Sequence, residues 1–361
     1  CDGLVITRYG YERPTQDIEI AQASHPIPDA AGVAATQQLI DRISGLGPDD
    51  VVIALISGGG SALLCAPSDG LTLDDKMKVN RALLESGAPI AEMNIVRKHL
   101  SRVKGGQLAA ACYPAKLLTL LISDVPGDEP SEIASGPTVG EESTAKDALE
   151  ICEKRHILLS PNARRAIAEG STVVPPSDAR LTRAETRVIA APSHSIDAAT
   201  KLAEAAGLCV RNLGDALEGE ARDLGTQQAN LALSLQSKLL PGDKPILLIS
   251  GGECTVTRCG DGVGGPNAEF VLSAAIALNG QQGIHVVACD TDGVDGAAEV
   301  AGAYAGPDTI SIANQDNHDP VTALARNDAH SFFAHVGGQV VTGPTLTNVN
   351  DFRAILISPI A

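Results

Sequence analysis

Five short segments rich in glycine, hydroxyl or carboxylate side chains contain the residue types from which an active site could be built. The segments are Ser57–Ser61, Ser123–Asp128, Gly260–Gly265, Asp290–Gly296 and Thr342–Asp351. Most of them directly follow a short apolar run that is typical of a β-strand. Ligands of open α/β sheets bind beyond the carboxyl ends of the strands. We therefore expect these loops to lie close together around one site.

The first segment, Ser57-Gly58-Gly59-Gly60-Ser61, follows the apolar run Val51–Ile56. Glycines at the end of a strand let backbone N–H groups approach an anion, and a following helix adds a favourable dipole. Three glycines flanked by serines favour phosphate or carboxylate binding over a turn without a ligand. The chain contains no Gly-Lys-Ser/Thr and this segment no Gly-x-Ser-x-Gly, which excludes a Walker A loop and a nucleophile elbow.

Two segments supply carboxylates. In Ser123–Asp128, Asp124 and Asp128 could hold a magnesium ion or take a proton from an alcohol, although aspartate is also common in ordinary turns. Asp290–Gly296 is the densest acidic loop, but its spacing differs from that of a calcium-binding EF-hand. Magnesium that bridges to a phosphate and hydrogen bonds from aspartate to ligand hydroxyls both stay open for this loop.

The segment Gly260–Gly265 matches the G-x-G-x-x-G pattern of dinucleotide-binding proteins. Such sites need an acidic residue about 20 positions further on to hold the ribose. Gly283-Ile284-His285 stands at that distance, without an acidic residue. The pattern is therefore weak evidence for a nicotinamide cofactor, and a loop that opens a helix near Asn267 is the alternative.

Apolar residues at helical spacing predict a helix from Ile90 to Val103 that ends at Gly105-Gly106. The opposite face holds the strongest basic cluster of the chain. Its polar residues are Asn94, Arg97, Lys98, Ser101 and Lys104. Two interpretations stay open: a solvated polar face, or a cationic helix end directed at an anionic ligand.

The overall charge limits the classes of partner. The 361 residues include 27 Lys and Arg against 44 Asp and Glu, a formal net charge of −17. This excess repels the phosphodiester backbone and disfavours nucleic-acid binding. Aromatic residues make up only 2% of the chain, which leaves few platforms for stacked bases. Apolar runs such as Leu117–Ile122 are far shorter than the roughly 20 residues of a membrane span, so we expect no membrane association.

Short apolar runs alternate with longer helical patterns, which predicts an α/β fold with a mostly parallel sheet. The predicted strands lie in Val51–Ile56, Leu117–Ile122, Arg187–Ala191, Ile246–Ile249, Ile284–Ala288 and Ala354–Ile357. Thr72 and Asp75 resemble a capping box that opens a helix. A Pro-Gly turn after Leu240 predicts a boundary between domains 1–240 and 241–361.

Eight cysteines scattered without a CxxC pair indicate reduced thiols rather than disulfides or a zinc site. A cytoplasmic protein is the simplest interpretation. The chain starts at Cys1 rather than Met and continues directly into Gly3–Thr7, which has the pattern of a strand already under way. We therefore expect that an N-terminal piece precedes the given sequence.

Together, these segments resemble a known family, the class II glycerate 2-kinases, many of which were formerly labelled hydroxypyruvate reductases of tartrate metabolism. The resemblance covers essentially the whole chain, in the expected order. It rests on Ser57–Leu64, Asn94–Ser101 with Lys104–Gly106, Ser123–Asp128 with Ala134–Thr138, Asp290–Gly296, and Thr342–Asp351. The C-terminal part resembles the MOFRL domain of that family.

The resemblance implies ATP-dependent phosphorylation of the 2-hydroxyl of D-glycerate, which gives 2-phosphoglycerate, with Mg²⁺ and in the cytoplasm. It also implies an N-terminal Rossmann-like domain, a smaller α/β C-terminal domain and a site in the cleft between them. Family members carry a glycine-flanked lysine ahead of the region where this chain starts. Some have Gly-Gly-Arg-Asn where this chain has Gly264-Gly265-Pro266-Asn267, so an arginine role is not transferred to that position.

On this basis we assign roles to candidate residues as a hypothesis. Phosphate or glycerate would be bound by Ser57, Gly58, Gly59, Gly60, Ser61, Arg97 and Lys98. Asp124 would be the catalytic base or a metal ligand, and Lys104 a catalytic cation. The metal would be held by Asp124, Asp290 and Asp292, and the nucleotide by Thr342, Thr345, Asn348 and Asn350. Phosphoryl transfer needs mainly positioning and charge stabilisation, which such groups supply.

Two other functions stay open. One is an NAD(P)H-dependent hydroxypyruvate reductase, which the G-x-G-x-x-G segment and the older family labels favour. The other is a catalytically inactive module that binds nucleotide or glycerate. The main prediction is a small-molecule substrate, D-glycerate, with ATP and Mg²⁺ as cofactors, and a homo-oligomer stays open.

Overall fold

The computed structural model describes residues 2–125, 127–296 and 298–360. Cys1, at which the predicted missing piece would join, and Pro126 of the Ser123–Asp128 segment lie outside the described residues. Within these ranges no helix is both long and apolar enough to cross a membrane. The chain divides into two compact units, residues 1–189 and 190–361, called unit 1 and unit 2 below.

Unit 1 contains two small sheets. Its strands are β1 (Gly3–Arg8), β2 (Ile18–Ala23), β3 (Val51–Ile56), β4 (Lys116–Ile122) and β5 (Ala184–Ala190), the last of which reaches the division between the units. Its helices are α1 (Ala30–Ile43), α2 (Gly60–Leu63), α3 (Leu73–Glu85), α4 (Ile90–His99), α5 (Gln107–Cys112), α6 (Ala145–Lys154) and α7 (Pro161–Ala168), with 3₁₀ turns at Ile133–Ser135 and Ala179–Leu181. β1 pairs with β2 in parallel, and β3, β4 and β5 form a second sheet in that order.

The predictions of β3, β4 and the start of α3 in unit 1 are confirmed. The apolar runs form β3 and β4, which pair in parallel. The capping box is present at the start of α3, because Thr72 Oγ1 accepts a hydrogen bond from the Asp75 amide at 3.1 Å and the Asp75 carboxylate accepts one from the Thr72 amide at 3.2 Å.

Helix α4 ends at His99, several residues before its predicted end at Val103. Leu100 and Val103 still pack into the core, because the turn that follows the helix keeps both side chains buried. The apolar spacing therefore continued beyond the helix. The predicted polar face is not solvated, because Asn94 and Lys98 on α4 are buried and so is Lys104, which lies beyond the end of the helix.

Unit 2 is built around a six-stranded mixed sheet. Its strands are β6 (Cys209–Asn212), β7 (Gly219–Glu220), β8 (Ile246–Gly252), β9 (Cys254–Thr255), β10 (Ile284–Asp290), β11 (Gly302–Ala305), β12 (Gln339–Val340) and β13 (Asp351–Ile357). Its helices are α8 (Pro192–Ala205), α9 (Ala221–Gln236), α10 (Pro266–Leu278), α11 (Thr309–Gln315), α12 (Pro320–Ala325) and α13 (Ala329–Val336). The strand order is β12-β11-β10-β13-β8-β6, and β7 pairs separately with β9.

The predicted α/β class with parallel pairing is confirmed, and the sheet of unit 2 adds antiparallel neighbours. β13 lies between β10 and β8 and is antiparallel to both, whereas β6 and β8 are parallel. Continuous apolar runs are typical of strands buried on both faces, but they carry no information on strand direction, and in β3 the side chains of Val51, Ile53 and Leu55 are exposed.

The division at residues 189 and 190 differs from the predicted domains 1–240 and 241–361. β6 precedes residue 240, yet it pairs with β8 of the C-terminal sheet. The long helix α9, which also precedes residue 240, packs along α10. A strand must complete its backbone hydrogen bonds with a neighbour, so β6 belongs to the same compact unit as β8.

Candidate active site

The glycine loop after β3 and the acidic loop after β4 lie at the same edge of their sheet. The two strands run parallel, with Ile56 paired to Leu121, so both chains leave the sheet at the same end. The carboxylate of Asp124 lies directly against Gly58, since a Cβ placed on residue 58 would come within 2.6 Å of Asp124 Cγ. Sequence reasoning expected these two segments to meet, and the structure brings them together.

Each glycine of this loop makes room for a different neighbour. Gly58 faces Asp124, Gly59 faces His25, and Gly60 lies against Ala134, whose Cβ would be 2.9 Å from an added Cβ. Gly59 also has a φ of 79°, which glycine adopts without strain. Close packing therefore accounts for the three glycines, and their number is not by itself evidence for anion binding.

Asp124 lies in an environment that suits a base. Burial raises the pKa of Asp124, and the charge of His25 lowers it in part. In return, burial and Arg8 lower the pKa of His25, whereas Asp124 raises it. A carboxylate with a raised pKa accepts a proton more readily than an exposed one. Sequence reasoning did not find His25, because a single histidine before a proline belongs to no motif.

Lys104 connects the glycine loop to the segment that follows Asp124. The side chain is buried, and its Nζ donates to Ser61 Oγ at 3.2 Å and to the carbonyl oxygen of Ala134 at 3.1 Å. Ser61 Oγ in turn lies 2.8 Å from Ser135 Oγ. Burial holds the pKa of Lys104 well below its usual range, with a further contribution from neighbouring cations. Within the described ranges no carboxylate pairs with Lys104, so a bound anion would supply its counter-charge and favour its protonated form.

Lys98 was predicted to contact phosphate or glycerate, but the structure gives it protein partners. Its buried Nζ forms ion pairs with Glu132 at 3.0 Å and with Glu141 at 2.6 Å. The charge of Lys98 is therefore compensated inside the fold. The reason is that the polar face of α4 packs against the segment containing these two glutamates instead of facing solvent.

Arg97 and Ser57 are less enclosed by protein groups than Lys98. Arg97 Nη1 donates to Asn94 Oδ1 at 3.3 Å, and within the described ranges no carboxylate forms an ion pair with this guanidinium. Burial lowers the pKa of Arg97 from its usual value. Ser57 is exposed at the end of β3. Among the described residues, Arg97 and Lys104 are thus the predicted cations that form no ion pair with a carboxylate.

In unit 2, the acidic loop after β10 contacts the polar loop before β13. The two strands are antiparallel, with Asp290 opposite Asp351. Thr291 Oγ1 donates to the carbonyl oxygen of Asn350 at 2.8 Å and accepts from the Val349 amide at 2.8 Å. The predicted segments Asp290–Gly296 and Thr342–Asp351 therefore form one surface of this unit.

Most of the predicted nucleotide-binding side chains make hydrogen bonds within these loops. Thr345 Oγ1 donates to the Thr291 carbonyl oxygen at 2.5 Å, and Thr342 Oγ1 donates to that of Gly343 at 2.9 Å. Asn348 Oδ1 accepts from the Asn350 amide at 2.8 Å. Thr342 and Thr345 are exposed, so they can also meet a ligand, whereas Asn350 is buried.

The donor set at the end of β10 suits a hard cation. Burial and the negative charges of Asp292 and Asp351 raise the pKa of Asp290. A divalent cation would relieve this repulsion, and Mg²⁺ in proteins is usually held by one or two carboxylates together with phosphate oxygens. Within the described ranges, no group of three or more His, Cys, Asp or Glu side chains could hold a metal by itself. Asp290 and Asp292 thus fit a magnesium ion that arrives with a phosphate ligand.

The glycines of Gly260–Gly265 are needed for packing within unit 2. Side chains at residues 260 and 262 would overlap the backbone of Arg326 and Asp328. The loop is also held by Asn327 Oδ1, which accepts from the amides of Cys259 at 2.8 Å and Gly260 at 2.9 Å. This loop is therefore occupied by protein groups where a dinucleotide-binding loop would face a pyrophosphate.

Sequence reasoning also missed the role of Asp295. Its buried carboxylate accepts from the backbone amides of Asn267 at 3.0 Å and Ala268 at 2.8 Å, at the start of α10, and lies 3.1 Å from His330 Nε2. Asp295 thus satisfies the free amides of this helix and fixes the acidic loop to it. A signal was present, because α10 starts at Gly265-Pro266 without a capping side chain of its own.

Two family models match this chain. The first, described as a domain of unknown function (DUF4147), matches residues 1–168, and the second, the MOFRL family, matches residues 246–351. A protein of Agrobacterium vitis named "Putative hydroxypyruvate reductase" is 51% identical over 357 residues, which cover 98% of this chain and 81% of that protein. The D-glycerate 2-kinase of Thermotoga maritima is 39% identical over 98% of this chain and 84% of its own length.

Solved structures agree with these sequence matches. The crystal structure of a glycerate kinase from Thermotoga maritima superimposes with a TM-score of 0.91 at 39% identity, over 99% of this chain and 85% of that one. A protein from Pyrococcus horikoshii superimposes with a TM-score of 0.84 at 35% identity, over 99% and 83%.

Proposed function

This chain belongs to the glycerate 2-kinase family, and from that premise we infer that it phosphorylates the 2-hydroxyl of D-glycerate with ATP and Mg²⁺. It is a kinase that acts on a small-molecule alcohol, and its phosphoryl donor is a nucleotide. The choice of ATP and Mg²⁺ follows from the family resemblance, and the roles of individual residues are proposed from the chemistry of the site.

The observation that carries the mechanism is the position of Asp124 against the glycine loop. In the proposed reaction, the Asp124 carboxylate accepts the proton of the 2-hydroxyl while that oxygen forms a bond to the γ-phosphorus and the bond between this phosphorus and the β–γ bridging oxygen breaks. Burial raises the pKa of Asp124, which strengthens it as a base. Gly58 allows the carboxylate to lie at the end of β3 and β4, the edge where α/β proteins bind ligands.

The cations of unit 1 would hold the anionic parts of the substrate. Among the described residues, Lys104 donates to neutral oxygens and no carboxylate pairs with Arg97. A substrate carboxylate or a phosphoryl group would therefore be the counter-charge of both groups and would favour the protonated form of Lys104. The other donors in this region are the amides of Ser57–Ser61, of which the Gly60 amide already donates to the Ser57 carbonyl oxygen at 3.3 Å. Lys98 is left out of this group, because Glu132 and Glu141 already compensate its charge.

In unit 2, Asp290 and Asp292 are the residues that would hold Mg²⁺, and Thr342 and Thr345 are exposed hydroxyls available to a nucleotide. Bound Mg²⁺ would neutralise phosphate charge.

We also place the enzyme in the cytoplasm. This is supported by the free state of all seven cysteines within the described ranges, because disulfides are rare in that compartment.

The reductase alternative has less support. It rests on the G-x-G-x-x-G segment, whose glycines pack against Arg326, Asp328 and Asp295, and on the name of relatives. No acidic residue stands at the ribose-binding distance either.

The test is ADP release from ATP with D-glycerate, followed by identification of the product as 2- or 3-phosphoglycerate. We expect 2-phosphoglycerate and no oxidation of NADH by hydroxypyruvate. NADH oxidation without ADP release would favour the reductase. Thermal stabilisation by nucleotide or glycerate without turnover would favour an inactive binding module.

A further inference from the structure

Lys76 is a buried cation that neither the sequence motifs nor the mechanism above uses. It lies in the first turns of α3 and is only 3% exposed. Its Nζ has no hydrogen-bond partner among the residues that the structure describes, and none of their carboxylates forms an ion pair with it. Burying an ammonium group without a partner costs free energy, so unpaired buried lysines are rare in proteins.

Lys98, in contrast to Lys76, is a buried lysine that has carboxylate partners. Lys98 is buried to the same degree, but two glutamates lie within 3.0 Å of its Nζ. The fold thus provides counter-charges for one buried lysine and not for another. The charged or polar groups that act on Lys76 are the Cys65 thiol and the positive charges of Arg97 and Lys104. No carboxylate of the described residues is among them.

The positive charges of Lys76, Arg97 and Lys104 act unfavourably on one another. Arg97 contributes to the lowered pKa of Lys76, and Lys76 contributes to the lowered pKa of Lys104, in both cases after the larger effect of burial. Because like charges repel, the arrangement is unfavourable until an anion enters. Ser61 Oγ, which accepts from Lys104 Nζ, brings a hydroxyl of the glycine loop to the same group.

We propose that Lys76 and Lys104, with Ser61 and Arg97, bind a small oxyanion, and that in this enzyme the oxyanion is the carboxylate of the hydroxy-acid substrate. This assignment rests on the proposed function for the name of the acid, but the cation group exists independently of it. The enclosed positions of Lys76 and Lys104 favour a small carboxylate over the bulky polyphosphate of a nucleotide. Lys76 would thereby select hydroxy acids over neutral polyols such as glycerol.

The test compares Lys76→Met with Lys78→Met, a matched control two residues further along α3. Lys78 is 68% exposed at its side chain and pairs with Asp74 across one helical turn. Thermal unfolding is measured without nucleotide, in the presence of D-glycerate, inorganic phosphate or glycerol. We expect both D-glycerate and inorganic phosphate to stabilise the wild type and Lys78→Met, glycerol to have no effect, and Lys76→Met to lose the response.

Kinetics identify the source of the oxyanion. For Lys76→Met, the KM for D-glycerate should rise about tenfold or more, as expected for loss of one charge-assisted contact, while the KM for ATP changes less than about twofold. A rise confined to the KM for ATP would assign the site to nucleotide phosphate and overturn the carboxylate assignment. An unchanged stabilisation of Lys76→Met by D-glycerate would overturn the site itself.

A ligand-binding role and a purely structural role for Lys76 predict different unfolding temperatures for its variants. Removal of an unpaired buried charge should leave the unfolding temperature of ligand-free Lys76→Met unchanged or raised. Lys76→Arg, which keeps the charge, should retain at least part of the response to D-glycerate. If Lys76→Met and Lys76→Arg both unfold well below the wild type, packing explains the residue and the proposal fails. Lys76-dependent stabilisation in a wild type that releases no ADP would support the site and contradict the kinase function.

Discussion

The carboxylate of Asp124 occupies the space that a side chain at residue 58 would need. An added Cβ on Gly58 would come within 2.6 Å of Asp124 Cγ and closer still to one of its oxygens. A glycine at the end of one strand therefore sets the position of an acid at the end of the neighbouring strand.

Replacement of Gly58 by alanine should displace the Asp124 carboxylate and lower kcat by about 10²-fold or more, because a base held out of reach loses most of its effect. The unfolding temperature should change little, since the group that must move is the end of a side chain. The control is Gly47→Ala, where the nearest atom to an added Cβ lies 3.6 Å away. An unchanged kcat in Gly58→Ala would show that the position of Asp124 is irrelevant to turnover.

Asp124→Asn should lower kcat by about 10²- to 10⁴-fold, the usual contribution of a general base, because the amide cannot accept the hydroxyl proton. Steady-state rates of ADP release measure this effect. Asp69→Asn is the matched control, because the Asp69 side chain is 94% exposed. Turnover close to that of the wild type would remove Asp124 from the chemistry.

Lys98→Met should destabilise the protein by about 3–5 kcal/mol, because it leaves the buried Glu141 and the half-buried Glu132 without their cation. The free energy of unfolding in denaturant measures this loss. Lys98→Met combined with Glu141→Leu should recover part of it, and Lys146→Met, at an 82% exposed side chain, should be neutral. If Lys98→Met keeps full stability and raises the KM for D-glycerate, Lys98 is a substrate contact after all.

His99 should make unit 1 sensitive to acid. The buried imidazole lies 2.6 Å from Ser171 Oγ and 3.2 Å from Ser143 Oγ, and burial lowers its pKa below the ordinary value of 6.5. Protons then bind the unfolded chain more readily than the folded one, so stability is complete above pH 6.5 and decreases as the pH falls through the pKa of the folded state.

Unfolding temperatures between about pH 5 and pH 7.5 measure this effect. His99→Gln should flatten the decrease below pH 6.5, whereas His194→Gln, at an exposed position, should follow the wild type. An identical acid profile for His99→Gln and the wild type would contradict the prediction.

Asp290→Asn should raise the Mg²⁺ concentration needed for half-maximal activity by about tenfold or more, in line with the loss of a group at a metal site. Titration of ADP release with Mg²⁺ measures this shift. Asp308→Asn, at an exposed position in the same unit, is the control. An unchanged Mg²⁺ requirement in Asp290→Asn would place the metal elsewhere.

Single elements could be predicted from the sequence because their signals are local. The apolar runs of β3 and β4 and the Thr72–Asp75 capping box depend only on neighbouring residues. The meeting of the loops after β3 and β4 was also predictable, since parallel neighbours end at the same edge of a sheet. The domain boundary differed from the structure, because the pairing of β6 with β8 joins distant parts of the chain and leaves no local signal.

By itself, the sequence determined the α/β class, the family resemblance and the list of residue types from which the site is built. Only the tertiary structure decided which of those residues are paired with other groups of the protein. Lys98 on α4 is paired with Glu132 and Glu141, whereas Lys104 beyond the end of α4 and the unpredicted Lys76 on α3 are buried without a carboxylate partner among the described residues. The physical reason is that the charge state and availability of a lysine depend on partners distant in sequence, and helical spacing alone does not specify them.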